Sequence, residues 1–155
     1  MIYMINTVKA IILKDQSVLM IKKAYENNRF VYTLPGGTQE SGENLEETLI
    51  REVEEEVAAA VNIIRLLHVY EHRRKSRTEP GAMKHKIEFA FLCELAGSYE
   101  PQLGLLPDAN QVATEWVGID KLAQLNLYPH VLLEVLSVLP LESNPHYMGF
   151  GVQSE

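Results

Sequence analysis

Strand-like alternation dominates the first part of this chain, and a helical period takes over near residue 45. Thr7 to Leu13 (TVKAIIL) and Ser17 to Lys23 (SVLMIKK) read as strands joined by a turn at Lys14-Asp15-Gln16. A second turn at Asn27-Asn28 precedes a strand from Phe30 to Leu34, which Pro35-Gly36-Gly37 ends sharply. A loop from Thr38 to Gly42 then feeds a helix from about Leu45 to Ala58. Its apolar stripe is Leu45, Leu49, Val53 and Val57. Val61 to Glu71 and Lys86 to Leu95 read as a long hairpin around a basic loop with Pro80-Gly81 at its tip. Tyr99 to Gln111 is irregular, Thr114 to Val117 a short strand and Ile119 to Leu125 a helical turn. Pro129 to Leu139 is expected as the last helix, with Pro129 in its first turn. The pattern predicts one domain over residues 1–142 and a loosely held tail over 143–155. Strands, one helix, more strands and a terminal helix imply a sheet between helices.

Glutamates change the picture of the first helix. Glu52, Glu55 and Glu56 stand at i, i+3 and i+4, so three carboxylates share one helical face. On the helical wheel Glu56 falls between Leu45 and Leu49, beside the buried stripe, where a charge is costly without a partner. Glu54 points away, as plain surface. Three carboxylates so close repel one another, and a hard divalent cation with oxygen ligands is their natural occupant. The alternative is a solvated acidic face.

The residues before the helix bear on that choice. Gly37, five residues, Glu43, seven residues, then Arg51-Glu52-Val53-Glu54-Glu55-Glu56-Val57 follow a fixed spacing. This segment resembles the Nudix box, G-x5-E-x7-R-E-U-x-E-E-x-G-U, where U is a bulky apolar residue. Two positions depart, with Ala58 at the late glycine and Ala59 at the closing apolar residue. Alanine takes a positive φ at a cost, so the helix is expected to run somewhat past Ala58 before turning.

The resemblance implies an α/β fold, an α/β/α sandwich with a mixed β-sheet. It implies hydrolysis of a nucleoside diphosphate linked to another group, by water attack on phosphorus with Mg²⁺ or Mn²⁺. Glu52, Glu55 and Glu56 match the metal-binding glutamates, and Glu55 or Glu52 would accept the proton of the attacking water. Arg51 would pair with Glu43 and tie loop to helix, facing away from the metals. Gly36 and Gly37 would shape the loop that admits the phosphate. Glu115, before Trp116, could be an added metal ligand from across the site, and Glu88 could face the site or solvent. A catalytically silent nucleotide sensor is the competing reading, which the loss of a motif glutamate would have favoured. None is lost.

Charge and composition narrow the partners. The 155 residues carry a net charge of −7, which argues against an extended nucleic acid bound through a basic surface. His72, Arg73, Arg74, Lys75, Arg77, Lys84, His85 and Lys86 nevertheless gather within fifteen positions, and Arg73 and Arg74 are candidate phosphate-binding residues. Tyr25, Phe30, Tyr32 and Tyr70 are candidate base-stacking side chains, whereas Trp116 and the single Cys93 read as core. The expected partner is a small-molecule nucleotide, with no membrane and a homodimer left open. A lone cysteine and no long apolar run suggest a cytoplasmic setting.

Overall fold

The computed structural model describes residues 1–137 and 146–152; in the second stretch the side chain described is that of Tyr147. Strands β1 (Ile2–Lys14) and β2 (Ser17–Tyr25) flank a turn in which Asp15 and Gln16 both take positive φ, the backbone of a tight hairpin. After a short 3-10 turn come β3 (Arg29–Thr33) and β4 (Gly36–Thr38), then helix α1 (Leu45–Val57). The long hairpin is β5 (Val61–Lys75) and β6 (Met83–Leu95), followed by β7 (Gln111–Gly118) and a 3-10 segment, Ile119–Gln124. Helix α2 (Leu132–Ser137) and strand β8 (His146–Val152) complete the described chain.

The sheet is mixed, in the order β3-β2-β1-β6-β5-β8, with β4 added to β1 and β7 to β2. β1 runs parallel to β6 from Ile2 to Ile12, yet it pairs with β2 only beside the turn, at Leu13↔Val18 and Lys14↔Ser17. Beyond those pairs β1 takes β4 as its neighbour and β2 takes β3 and β7, so the two strands part and leave a gap.

Two apolar clusters cover the two faces. Leu49, Val53 and Val57 of α1 pack on Val8, Ala10, Ile12, Leu19, Ile21 and Cys93. Leu132, Val135 and Leu136 of α2, with Leu122, pack on Ile11, Val18, Met20, Leu67 and Tyr70. A mixed sheet between two helical layers agrees with the expected sandwich.

Four expectations need correction. α1 stops at Val57, and Ala58 adopts the left-handed conformation (φ 54°, ψ 35°), donating its N–H to Glu54 O at 3.0 Å. The helix cannot run on, because Ala59 and Val61 are drawn into the core and the next loop occupies the helix end. Gly36–Thr38 is a short strand on Thr7–Lys9 rather than free loop. His72–Lys75 and Lys84–Lys86 belong to β5 and β6, leaving only 76–82 as loop. Residues 146–152 form β8, parallel to β5, because the outer edge of β5 offers unpaired N–H and C=O groups. Residues 143–145, 153–155 and Leu139 of the expected last helix lie outside the described residues, and Pro129 sits in the bend before α2.

Candidate active site

Helix α1 begins at Asn44, whose Oδ1 accepts the N–H of Glu47 at 2.8 Å. That cap sets the helix phase and with it the face carrying Glu52, Glu55 and Glu56. Glu43, just outside the cap, receives Arg51 through Nε at 2.5 Å and Nη2 at 3.0 Å. It also accepts Thr48 Oγ1 at 2.8 Å. The guanidinium first, then the hydroxyl, hold the Glu43 carboxyl down at about 2. The expected tie between loop and helix is therefore present.

Arg51 does more than the helical wheel implied. Its Nη1 donates to Glu52 Oε1 at 2.9 Å and to Glu55 Oε2 at 3.3 Å. The wheel fixes where Cβ points, but a guanidinium on three methylenes reaches round the helix to the neighbouring carboxylates. Gly37 explains the position of Glu52: a Cβ added at Gly37 would lie 2.4 Å from Glu52 Cδ, so the carboxylate rests where only glycine leaves room. Glu56 is buried, and its Oε1 accepts the Gly36 N–H at 2.8 Å. Burial pushes Glu56 up to about 8, and burial also raises Glu52 against the opposing pull of Arg51.

The donor set of three carboxylates suits a hard cation. As they stand, among the described residues no three His, Cys, Asp or Glu side chains converge closely enough to hold one. Arg51 engages one oxygen of Glu52 and one of Glu55, so ion binding would require these flexible side chains to turn toward Glu56. In donor chemistry and in the room left by Gly37, the residues fit.

The gap between β1 and β2 is a cleft of about 660 Å³. Its lining includes seven cations (Lys9, Lys23, Arg29, Arg74, Lys75, Arg77 and Lys86) against two carboxylates, Glu88 and Asp108. On a chain of net charge −7, that concentration marks the cleft for an anion. Asp108 is already matched by Lys23 at 2.6 Å. Burial first, then the charge of Lys9, pull Lys86 down to about 8.

Lys9 joins cleft and helix. It is buried on β1, donates to Leu34 O at 3.4 Å, and its charge acts on Glu52 and Glu56 on one side and on Lys86, Glu88 and Asp108 on the other. Sequence reasoning missed it. Its signal was a lone lysine inside the apolar run TVKAIIL. Tyr128, which lines the cleft beside Leu127, was missed as well.

The remaining candidates divide. Arg74 lines the cleft, but Arg73, opposite His85 across the β5–β6 ladder, is not among its lining residues. Glu115 stands opposite Met20 of β2, whose side chain packs in the α2 layer, so it faces away from α1. Its partners are Tyr32 OH at 3.3 Å and Lys22 Nζ at 3.8 Å. Glu88 does face the cleft. Of the four stacking candidates, Tyr25 lines the cleft, Tyr70 is wholly buried, and Phe30 and Tyr32 lie near Lys22. Trp116 packs in the α1 layer and Cys93, its thiol pushed by burial to about 12, is core, as expected.

A family model of the NUDIX domain matches residues 5–136. The chain belongs to the Nudix family. The Nudix match takes in both helical layers and every strand from β1 to β7. An ADP-ribose pyrophosphatase of Methanocaldococcus jannaschii is 36% identical over 92 residues, 58% of this chain and 50% of that protein. A Caenorhabditis elegans protein that carries the name nudix hydrolase 1 is 32% identical over 117 residues, 73% of this chain and 28% of that protein. The chain thus spans between about a quarter and a half of the length of these curated relatives. Among solved structures, a Nudix hydrolase from Nitrosomonas europaea superposes with a TM-score of 0.71 at 21% identity, covering 96% of this chain and 79% of that one. A MutT Nudix hydrolase from Burkholderia pseudomallei gives 0.66 at 28% identity, covering 88% and 98%.

Proposed function

We propose that this Nudix chain hydrolyses the pyrophosphate link of a small nucleotide derivative, using Mg²⁺ or Mn²⁺ held by Glu52, Glu55 and Glu56. The observation that carries the reading is one junction: a cation-lined cleft meets a face of three carboxylates, with Lys9 acting on both. Lys9, Arg74 and Lys86 would bind phosphate oxygens, whose repulsion of a nucleophile is the main obstacle to the reaction. The bound ion would add charge neutralisation and lower the pKa of the attacking water. Glu55 or Glu52 would take that water's proton, and the Arg51–Glu43 pair would hold the helix face in register with the loop. Glu56, anchored to the Gly36 N–H, couples the glycine segment to the same face. The name of the Methanocaldococcus jannaschii relative makes ADP-ribose the first substrate to try.

The test is a turnover panel of ADP-ribose, nucleoside triphosphates, dinucleoside polyphosphates and nucleotide sugars with Mg²⁺, Mn²⁺ or chelator, with Glu55→Gln alongside. Turnover of one class, abolished by chelator and reduced at least ~100-fold in the variant, is the expected result. Tight nucleotide binding with no turnover under any metal would replace the hydrolase with a sensor.

A further inference from the structure

The cations of the cleft are spread too widely for one pyrophosphate to engage. Lys9, whose charge acts on Glu52 and Glu56, marks one end. Across the ladders of β1, β6 and β5, Lys9 stands level with Ala90 and His68, whereas Tyr3 stands level with Lys84 and Arg74. Arg74 therefore lies six residues along the sheet from the level of Lys9, ~20 Å at about 3.3 Å per residue. Between them, level with Thr7, stands Glu88, which despite its burial is held ionised at about 2 by the His72 hydrogen bond. The positive lining is thus divided, and a pyrophosphate seated against Lys9 and α1 does not extend to Arg74.

At the far end the two walls of the cleft meet over one aromatic ring. Tyr25, the last residue of β2, pairs with Arg29 of β3, whose guanidinium carbon lies 4.7 Å from the Tyr25 ring centroid. Arg77, on the loop 76–82 of the opposite wall, reaches over the gap and sets its guanidinium 5.7 Å from the same centroid. Arg74, Arg77 and Tyr25 all act electrostatically on the Tyr128 hydroxyl, so Arg74 belongs to the same corner. Among the described residues no carboxylate lies within ion-pair distance of Arg29, Arg74 or Arg77, in contrast to Arg51 and Lys23. Arg74 Nη1 donates to the Lys75 carbonyl at 3.4 Å, which leaves the rest of its fork open. Three guanidiniums gathered without an acid repel one another, and an aromatic face offsets only part of that. A phosphomonoester answers such a set, with close to two negative charges and three oxygens for forked N–H donors.

Resting on the hydrolase reading above, we propose that Arg29, Arg74 and Arg77, gathered around Tyr25, hold a second phosphoryl group of the substrate, set apart from the pyrophosphate that meets α1. The substrate is then a pyrophosphate derivative that also carries a phosphomonoester, on its ribose or on the group beyond the pyrophosphate. A continuous run of linked phosphates fits the cleft less well, because it would pass the Glu88 charge.

Calorimetry with ligand pairs that differ by one phosphoryl group tests this, in chelator so that no turnover intervenes. NAD⁺ with NADP⁺, and 3′-dephospho-coenzyme A with coenzyme A, place the extra group on the ribose. ADP-ribose with ADP-ribose 1″-phosphate places it at the other end, so the pair that responds identifies the source. Wild type should bind the phosphorylated member of at least one pair ~10-fold more tightly or better. Arg74→Gln and Arg77→Gln should each remove most of that advantage, with affinity for the unphosphorylated member kept within about twofold. Lys121→Gln, which removes an exposed charge outside the cleft, should leave the advantage intact. If Arg74→Gln lacks a cooperative thermal transition, Arg77→Gln, on the loop, decides alone. The proposal is overturned if no pair shows the advantage, if the arginine variants keep it, or if Lys121→Gln loses it equally. Turnover in the panel above with no pair preferred would sink this inference alone. An arginine-dependent preference with no hydrolysis of either member under Mg²⁺ or Mn²⁺ would sink only the hydrolase reading.

Discussion

Ala58 shows how one residue can hold an unfavourable conformation when its surroundings leave no other. Its left-handed φ is one that alanine adopts at a cost of ~1 kcal/mol or more. The helix nonetheless ends there, since Tyr99 OH takes the Val57 carbonyl at 2.6 Å and the core claims Ala59. Ala58→Gly should therefore raise stability by about 1 kcal/mol, visible as a higher denaturant midpoint at unchanged slope. An unchanged or lower midpoint would mean that the conformation carries no strain. Glu52, Glu55 and Glu56 were legible as a group from spacing alone, because side chains within a turn of one helix keep fixed relations whatever the rest of the fold does, whereas the tie of Arg51 to Glu43 was legible only through the resemblance to the Nudix box. The reach of Arg51 to Glu52 and Glu55 was not, since it depends on rotamers rather than on the wheel.

Among elements, α1 depends on a segment with no periodic signal. The loop after β6 brings the Gly104 N–H to Glu56 O and the Leu106 N–H to Glu55 O, both at 2.9 Å. Gln111 Nε2 adds a third donor, to Glu56 O at 3.0 Å. These are last-turn carbonyls that have no partner within the helix, on two of the residues whose carboxylates make up the candidate site. A Cβ at Gly104 would lie 2.0 Å from Glu55 O, a backbone atom that cannot swing aside. Gly104→Ala should consequently cost ~2 kcal/mol or more in chemical denaturation through two displaced hydrogen bonds. A loss below ~0.5 kcal/mol would show the loop to be dispensable to the helix end. Tyr99 to Gln111 read only as irregular because its order comes from docking on another element, not from its own pattern. The same holds for β8: HYMGFGV has two glycines and little alternation, and the edge of β5 makes it a strand.

For the whole molecule, the parting of β1 from β2 sets a buried charge network beside helix α1. Lys9 from β1, His72 from β5, and Lys86 and Glu88 from β6 meet there, so a proton on Glu88 acts across the middle of the sheet. Its folded pKa of about 2 lies below the unfolded value of 4.5, so its stabilising contribution is present above pH 4.5 and is lost as pH falls through 2. Wild type should thus outlast Glu88→Gln at pH 7 and lose that lead between pH 4.5 and 2, by up to ~1.4 kcal/mol per pH unit, in paired melting curves. A lead that stays constant down to pH 2 would show that Glu88 does not titrate in this way. What the sequence determined by itself was local: strands from alternation, a helix from its period, and three carboxylates on one face from spacing within a single turn. Tertiary structure decided what depends on residues far apart in the chain. It turned Glu115 away from α1, separated Arg74 from Arg73, buried Lys9 between glutamates and cleft, and gathered β1, β5 and β6 around Glu88. Strand order and divergence arise from packing between distant segments, which no local period encodes.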